Sequence, residues 1–174
     1  MAIREILTYP DDRLRQVAKP VADPTGAEVR QLAQDLADTM YDAPGVGLAA
    51  TQIGVALRVA VTDTGWREEG AARDLHVWIN PEFLSFSDEK ATFEEGCLSV
   101  PEIYEEVERP AHVRLRWLDL DGNRHEADFS DFEAVALQHE FDHLDGKLFI
   151  DRLSALKQSL IKKKLKKRKK LAAA

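Results

Sequence analysis

A chain of 174 residues, 44% of them hydrophobic, can bury one sizeable core, which excludes a wholly disordered polypeptide and sets the expectation of a single domain. One cysteine excludes an intramolecular disulfide framework, and the lack of an apolar run after Met1 argues against secretion or membrane insertion. Glu5, Asp11 and Asp12 make the start too acidic for an organelle transit peptide, so the expected compartment is the cytoplasm, with no membrane or DNA partner.

Taken in chain order, the pattern predicts an α+β layout. Thr25 and Glu28 have the spacing of a capping box, and Val29, Leu32, Ala33, Leu36 and Met40 recur at helical spacing, giving a first long helix. There follows Gly45-Val46-Gly47-Leu48-Ala49-Ala50-Thr51-Gln52-Ile53-Gly54, which lacks the Gly-Lys-Ser/Thr ending of a P-loop and on its own reads as a tight turn. Alternation of Leu57, Val59 and Val61 predicts a strand over about 57–63, and a second strand over about 75–86 is expected to break at Pro81. The polar stretch 65–74 between them is a surface loop.

The segment Glu94-Glu95-Gly96-Cys97-Leu98-Ser99-Val100-Pro101 holds the only cysteine. An isolated cysteine is ordinarily a small buried hydrophobe, yet here Glu94 and Glu95 crowd it with charge. Gly96 permits close backbone approach and Pro101 is expected to end the extended segment. Strands at about 112–119 and 123–129 flank Asp121-Gly122, a hairpin turn.

A helix over about 131–144 comes next, opened by a second capping box, Ser130 with Glu133, and closed by Gly146 in the left-handed conformation. It carries Gln138-His139-Glu140-Phe141-Asp142-His143. Helical spacing puts His139 and His143 on one face with Cβ atoms about 5–6 Å apart, close enough to share a metal ion. In this HExxH pattern the glutamate handles the proton of the water that the metal activates. Two buried histidines held only by hydrogen bonds explain the same spacing, so a third ligand decides between the readings. After His143 there is no further histidine, and the only acids are Asp145 and Asp151. Upstream, the Cys97 thiolate with two neutral imidazoles gives three protein ligands and leaves one position open for water.

With GVGLAATQIG, EEGCLSVP and QHEFDHLDG in this order, the chain resembles peptide deformylase, and the resemblance runs from Ile6 to Asp151. It implies an α+β fold of mixed or antiparallel sheets packed around a central HExxH helix, with a C-terminal helix. It also implies removal of the formyl group from the N-terminal formyl-methionine of new polypeptides, releasing formate. By motif position Cys97, His139 and His143 hold the metal, and Glu140 takes the proton of the water and delivers it to the leaving amine. Gln52 and the backbone N–H of Leu98 stabilise the oxyanion. Ligand softness suggests zinc, whereas the resemblance implies Fe(II), with Zn, Ni or Co able to substitute.

The family binds the N-formylmethionyl nascent peptide as an added strand, for which the backbones of Val46 and Gly96 are candidates. The substrate-binding set is Val46, Gly47, Phe93, Glu95, Gly96, Phe132, Val135 and Ala136, although core packing explains the stripe of Phe132, Val135 and Ala136 equally well. Tyr104 stands where many bacterial members carry an arginine. Glu95 and Arg109 pair either to fix the cysteine loop or as an ordinary ion pair. Asp142 either orients a metal ligand or, as the favoured expectation, sits in solvent.

Eight of the nine residues Lys162–Lys170 are basic, so the formal charge of −7 divides into +8 for that tract and −15 for the rest. The expected division is a catalytic domain over 1–161 and a basic tail over 162–174. Leu153, Leu156, Leu160 and Ile161 are expected to dock the start of a terminal helix, leaving a basic end that is either a frayed, solvated terminus or a contact for ribosomal RNA. Two other functions share these features: an HExxH peptidase that cuts internal bonds, and a non-catalytic ribosome- or RNA-binding module.

Overall fold

The computed structural model describes residues 2–173; Met1 and Ala174, the outer limits of the two expected segments, lie outside them. In chain order the elements are α1 (Ala27–Asp42), β1 (Gly47–Ala49), β2 (Val59–Thr62), β3 (His76–Phe86), β4 (Lys90–Cys97), β5 (Val100–Pro110), β6 (His112–Leu118), β7 (Arg124–Ser130), α2 (Asp131–Leu144) and α3 (Ala155–Ala173). Single 3-10 turns occupy Asp12–Arg15, Ala50–Ile53 and Phe149–Arg152. Five strands pair antiparallel in the order β1-β2-β3-β6-β7, and β4 pairs with β5 as a separate hairpin.

Period-two alternation sorts the larger sheet into two faces. Leu48, Val59, Val61 and Ile79 pack with Val29, Leu32, Leu36 and Met40 of α1. Ala49, Ala60, Trp78 and Leu115 on the other face meet Leu137, Phe141 and Leu144 of α2. Each of those three α2 side chains contributes about 1.5–3 kcal/mol by burial. With a helix on each face, all four residues of β2 are buried. A third cluster joins Val100, Ile103 and Val107 of β5 to Leu7, Leu14, Phe149 and Ile150, and Ile161 and Leu165 of α3 close it. The metal-helix candidate α2 is therefore held between the large sheet and the hairpin, in agreement with the expected α+β class.

Several local expectations are corrected. Pro81 does not break β3; the register with β6 shifts between Ile79 and Glu82 and Asn80 takes φ 50°, so an irregularity absorbs the missing N–H. Pro101 does not end the extended chain but lies second in β5. Neither capping box forms. Ser130 does precede α2, yet its hydroxyl pairs with His112 Nδ1 at 2.9 Å across the β6–β7 register. The N-cap of α1 is Gly26, and the Thr25 hydroxyl donates to Asp23 at 2.7 Å. Gly146 does close α2 at φ 75°, with the N–H of Lys147 reaching the Asp142 carbonyl at 2.9 Å, and an added Cβ would collide with the Arg15 carbonyl. The Asp121-Gly122 turn joins β6 to β7 with Gly122 at φ 82°.

The terminal helix docks differently from the expectation. Leu153 and Ile161 pack on the third cluster, but Leu156 and Leu160 are 71% and 61% exposed and Leu165 is buried instead. Helical phase explains it: Ile161 and Leu165, four apart, share a face that Leu156 and Leu160 do not. Helix α3 runs unbroken through residues 161 and 162, and its basic end is partly tied down, with Arg168 on Glu102 and Lys169 on the Thr8 carbonyl. No helix among the described residues is long and apolar enough to cross a membrane.

Candidate metal centre

Three donors converge where α2 passes the β4–β5 turn. Cys97 Sγ lies 3.3 Å from His143 Nε2, which lies 3.3 Å from His139 Nε2, and all three atoms fall within 4.8 Å of one another. Donors bound tetrahedrally to one divalent ion sit about 3.3–3.7 Å apart, so the spacing and the S/N/N donor set fit a metal. The tautomer fits as well. Nδ1 of His139 lies 2.9 Å from Glu95, a bond that in the neutral ring fixes the proton on Nδ1 and leaves the Nε2 lone pair for a metal in place of a second proton. His143 is held through its backbone carbonyl, which accepts from the Thr51 hydroxyl at 3.0 Å, while its Nδ1 has no partner among the described residues.

Behind these three donors runs a buried chain of charge. Arg109, fully buried, donates two bonds to Glu95 (2.7 and 2.9 Å) and a third to Asp142 (2.9 Å), and Arg152 donates to both Asp142 oxygens at 2.8 and 3.0 Å. Burial pushes the Glu95 carboxyl up, but its bonds to His139 and Arg109 outweigh that and hold it ionised. Asp142 is likewise held low by Arg152 and Arg109 against burial. The expectation of a solvated Asp142 is thus overturned: it touches neither solvent to any extent nor a metal ligand, and braces Arg109 instead. Glu95 is the group that orients a histidine.

Burial disfavours a charged His139, yet the carboxylate of Glu140, the thiol of Cys97 and Glu95 together hold its pKa well above the ordinary value. His143, buried and facing charged His139, is driven well below it. Burial raises Glu140 to about 7, with His139 pulling the other way. Its Oε1 is buried and has no hydrogen-bond partner among the described residues. Space for this carboxylate exists because residue 47 is glycine; a Cβ there would strike Glu140 Oε2 and come within 2.7 Å of its Cδ.

A cavity of about 440 Å³ opens onto this cluster. Val46, Gly47, Gln52, Glu95, Gly96, Leu98, Phe132, Val135, Ala136, His139 and Glu140, all singled out in the sequence, line it. Phe93 is not in the lining; it packs its ring on Phe132 at 5.9 Å. Gln52 is oriented by accepting from the Ala49 N–H at 2.9 Å, which aims its amide nitrogen at Ser99 Oγ (3.1 Å) and Cys97 Sγ (3.6 Å). Sequence reasoning missed Ser99, Arg152 and Arg67. Ser99 was visible within the cysteine motif, whereas nothing in the polar loop marked Arg67 as a residue that reaches the cavity. Tyr104 reaches it too, its ring lying so close over Gly96 that a Cβ there would come within 2.5 Å.

A thiol and two imidazoles at metal spacing, beside a buried carboxylate that has no hydrogen-bond partner at Oε1 among the described residues and lines a cavity, are what a metal-dependent hydrolase of the HExxH type requires. The chain belongs to the polypeptide deformylase family: the sequence model of that family, described as Polypeptide deformylase, matches residues 3–159. A curated relative named peptide deformylase, from Afipia carboxidovorans, is 56% identical and the alignment covers 99% of each chain. A crystal structure of a peptide deformylase from Legionella pneumophila superposes with a TM-score of 0.88 at 46% identity, covering 99% of this chain and 98% of that one. A Met-Ala-Ser-bound class I type b peptide deformylase from Acinetobacter baumannii superposes with a TM-score of 0.80 at 35% identity, covering 87% and 99%. The family is metal-dependent and removes the N-formyl group from the formyl-methionine of new polypeptides.

Proposed function

We propose that this chain carries out that deformylation with Cys97, His139 and His143 as metal ligands, Glu140 as general base and then general acid, and Gln52 and the Leu98 N–H as oxyanion donors. The convergence of the three donor atoms beside Glu140, whose Oε1 has no partner among the described residues, at a cavity that Cys97, His139 and Glu140 line carries the reading. A divalent ion, when bound, supplies Lewis-acid polarisation and lowers the pKa of water at the site toward neutrality. Glu140, raised to about 7 by burial, takes a proton from water at Oε1 and passes it to the departing amine nitrogen. Gln52 Nε2 and the Leu98 N–H donate to the formyl oxygen as negative charge builds on it, a kind of donor worth about 2.7–4 kcal/mol each. Val135 and Ala136, with Phe132 above them, offer the apolar wall for the methionine side chain, and the Met-Ala-Ser complex of the Acinetobacter relative supports a peptide lying in this cleft.

The ion we assign is Fe(II), with Zn, Ni or Co able to replace it. A thiolate beside ferrous iron is open to oxidation, so activity should decay in air with iron and persist longer with nickel; equal lifetimes would count against iron. The compartment is the cytoplasm. Residues 162–174 form a basic extension of the catalytic domain for contact with ribosomal RNA near the emerging chain, a contact that weakens as salt rises. Salt-insensitive ribosome binding, or binding unchanged after removal of 162–174, would defeat that assignment.

The deciding experiment is formate release from formyl-Met-Ala-Ser by protein loaded anaerobically with Fe(II). Rapid release that stops on chelation is expected. No release from folded, metal-loaded protein would overturn the reading, and cleavage of an unformylated peptide would favour the peptidase.

A further inference from the structure

The cavity has a buried floor, formed by Gln52, Val100, His139 and Glu140, and an exposed rim formed by Arg67, Glu94, Glu102 and Tyr104. A polypeptide whose formyl end reaches the floor must leave across that rim, so the residues that follow methionine meet its charges. Glu102 is an unusual member of the rim. It holds a left-handed backbone at φ 64°, its side chain is 73% exposed, and it is paired with Arg168, which donates from Nη2 to Oε1 at 2.8 Å and from Nη1 to Oε2. Arg168 comes from α3, where Ile161, Leu165 and Arg168 stand at i, i+4 and i+7. The face that docks the helix through two apolar side chains thus delivers a guanidinium to the edge of the cleft.

An exposed ion pair of this kind adds little to stability. Its consequence lies in the field at the rim, where it cancels one of two carboxylates and leaves Glu94 and Arg67 as the other charged groups of the exposed rim. We infer that Glu102 is a specificity-determining residue for the charge of the peptide residues after methionine, and that Arg168 of α3 masks it. Free Glu102 favours a cationic residue crossing the rim and disfavours an acidic one; masked, it discriminates weakly. The inference rests on the deformylase reading and deepens it, because it links the basic helix to the substrate path.

The test compares kcat/KM for formyl-Met-Ala-Lys and formyl-Met-Ala-Glu, with formyl-Met-Ala-Ser as the neutral reference, in wild type, Arg168→Gln, Glu102→Gln and the double variant. Arg168→Gln should raise the Lys/Glu ratio about two- to fivefold, the range of an exposed charge contact, with the Ser peptide changed less than twofold. Glu102→Gln, which frees Arg168, should lower the ratio, and the double variant should return it near wild type. The shifts should shrink in high salt, where exposed charges are screened, and circular dichroism should show the same helix content in all four proteins. An unchanged ratio in Arg168→Gln, or an equal change on both charged peptides, would overturn the inference while leaving deformylation intact. Wild type inactive on formyl-Met-Ala-Ser would overturn both.

Discussion

Helices α2 and α3 use their polar residues in opposite ways. From Ala134 to Leu144 every residue of α2 is buried, and its histidines and Asp142 are placed by partners on β4, β5 and the turn after β1, while Glu140 Oε1 has no hydrogen-bond partner among the described residues. Helix α3 meets the body through Ile161 and Leu165, and most of its lysines face solvent. A buried charge without its partner costs several kcal/mol, whereas an exposed one costs almost nothing. Changes on α2 should therefore remove function or folding, whereas changes to the exposed polar residues of α3 should move only association and selectivity.

The largest effect is expected from Glu140→Gln, which keeps the shape of the side chain but loses the base. Turnover should fall by roughly 10²–10⁴-fold while metal content, read by elemental analysis, stays at one ion per chain. Near-normal turnover would remove Glu140 from the chemistry.

Arg109→Met breaks the brace behind the ligands, leaving Glu95 and Asp142 buried without their shared cation. A loss of about 3–5 kcal/mol in denaturant melts is expected, with metal affinity falling about 10–100-fold as His139 loses its fixed orientation. The acid limb of wild-type stability tests the same brace. Glu95 and Asp142 have depressed pKa values, so their contribution is full above the unfolded carboxylate range of about 4 and is lost as pH falls through the lower folded values. Stability of Arg109→Met should fall less steeply over that window.

Gly47→Ala places a methyl against the Glu140 carboxylate. Activity should drop about tenfold or more while the thermal midpoint moves by only a few degrees, since displacement of a catalytic group far outweighs a local rearrangement. At the far end of the scale, Leu165→Ala should cost about 2 kcal/mol, and Leu156→Ser, on the exposed face of α3, less than about 0.5 kcal/mol. A larger loss at Leu156 than at Leu165 would reverse the docking face.

The same contrast governs what could be read from the residues. Helix α1, α2 and strands β2, β3, β6 and β7 follow hydrophobic patterns that survive burial, and α2 falls at 131–144 as its spacing predicts. Hairpin β4–β5 carries the cysteine, yet its alternation is masked by Glu94, Glu95, Glu105, Glu106 and Glu108, and the inward set includes Arg109, a charge that only its partners make tolerable. Asp142 misled for the same reason, since its partners stand 33 residues back and 10 residues on. The His139–His143 pair was legible because its spacing is local on a helix, whereas the approach of Cys97 to it, the bracing network, the reach of Arg67 and the pairing of Arg168 with Glu102 are products of long-range assembly.

The convergence of a thiolate with two imidazoles on one ion is tested most directly by electronic absorption of the Co(II)-loaded protein. A thiolate-to-cobalt charge-transfer band is expected in wild type and in Glu140→Gln, and should vanish in Cys97→Ser. A band that survives Cys97→Ser, or no band in a folded, cobalt-loaded wild type, would contradict the assignment of Cys97 as the third ligand.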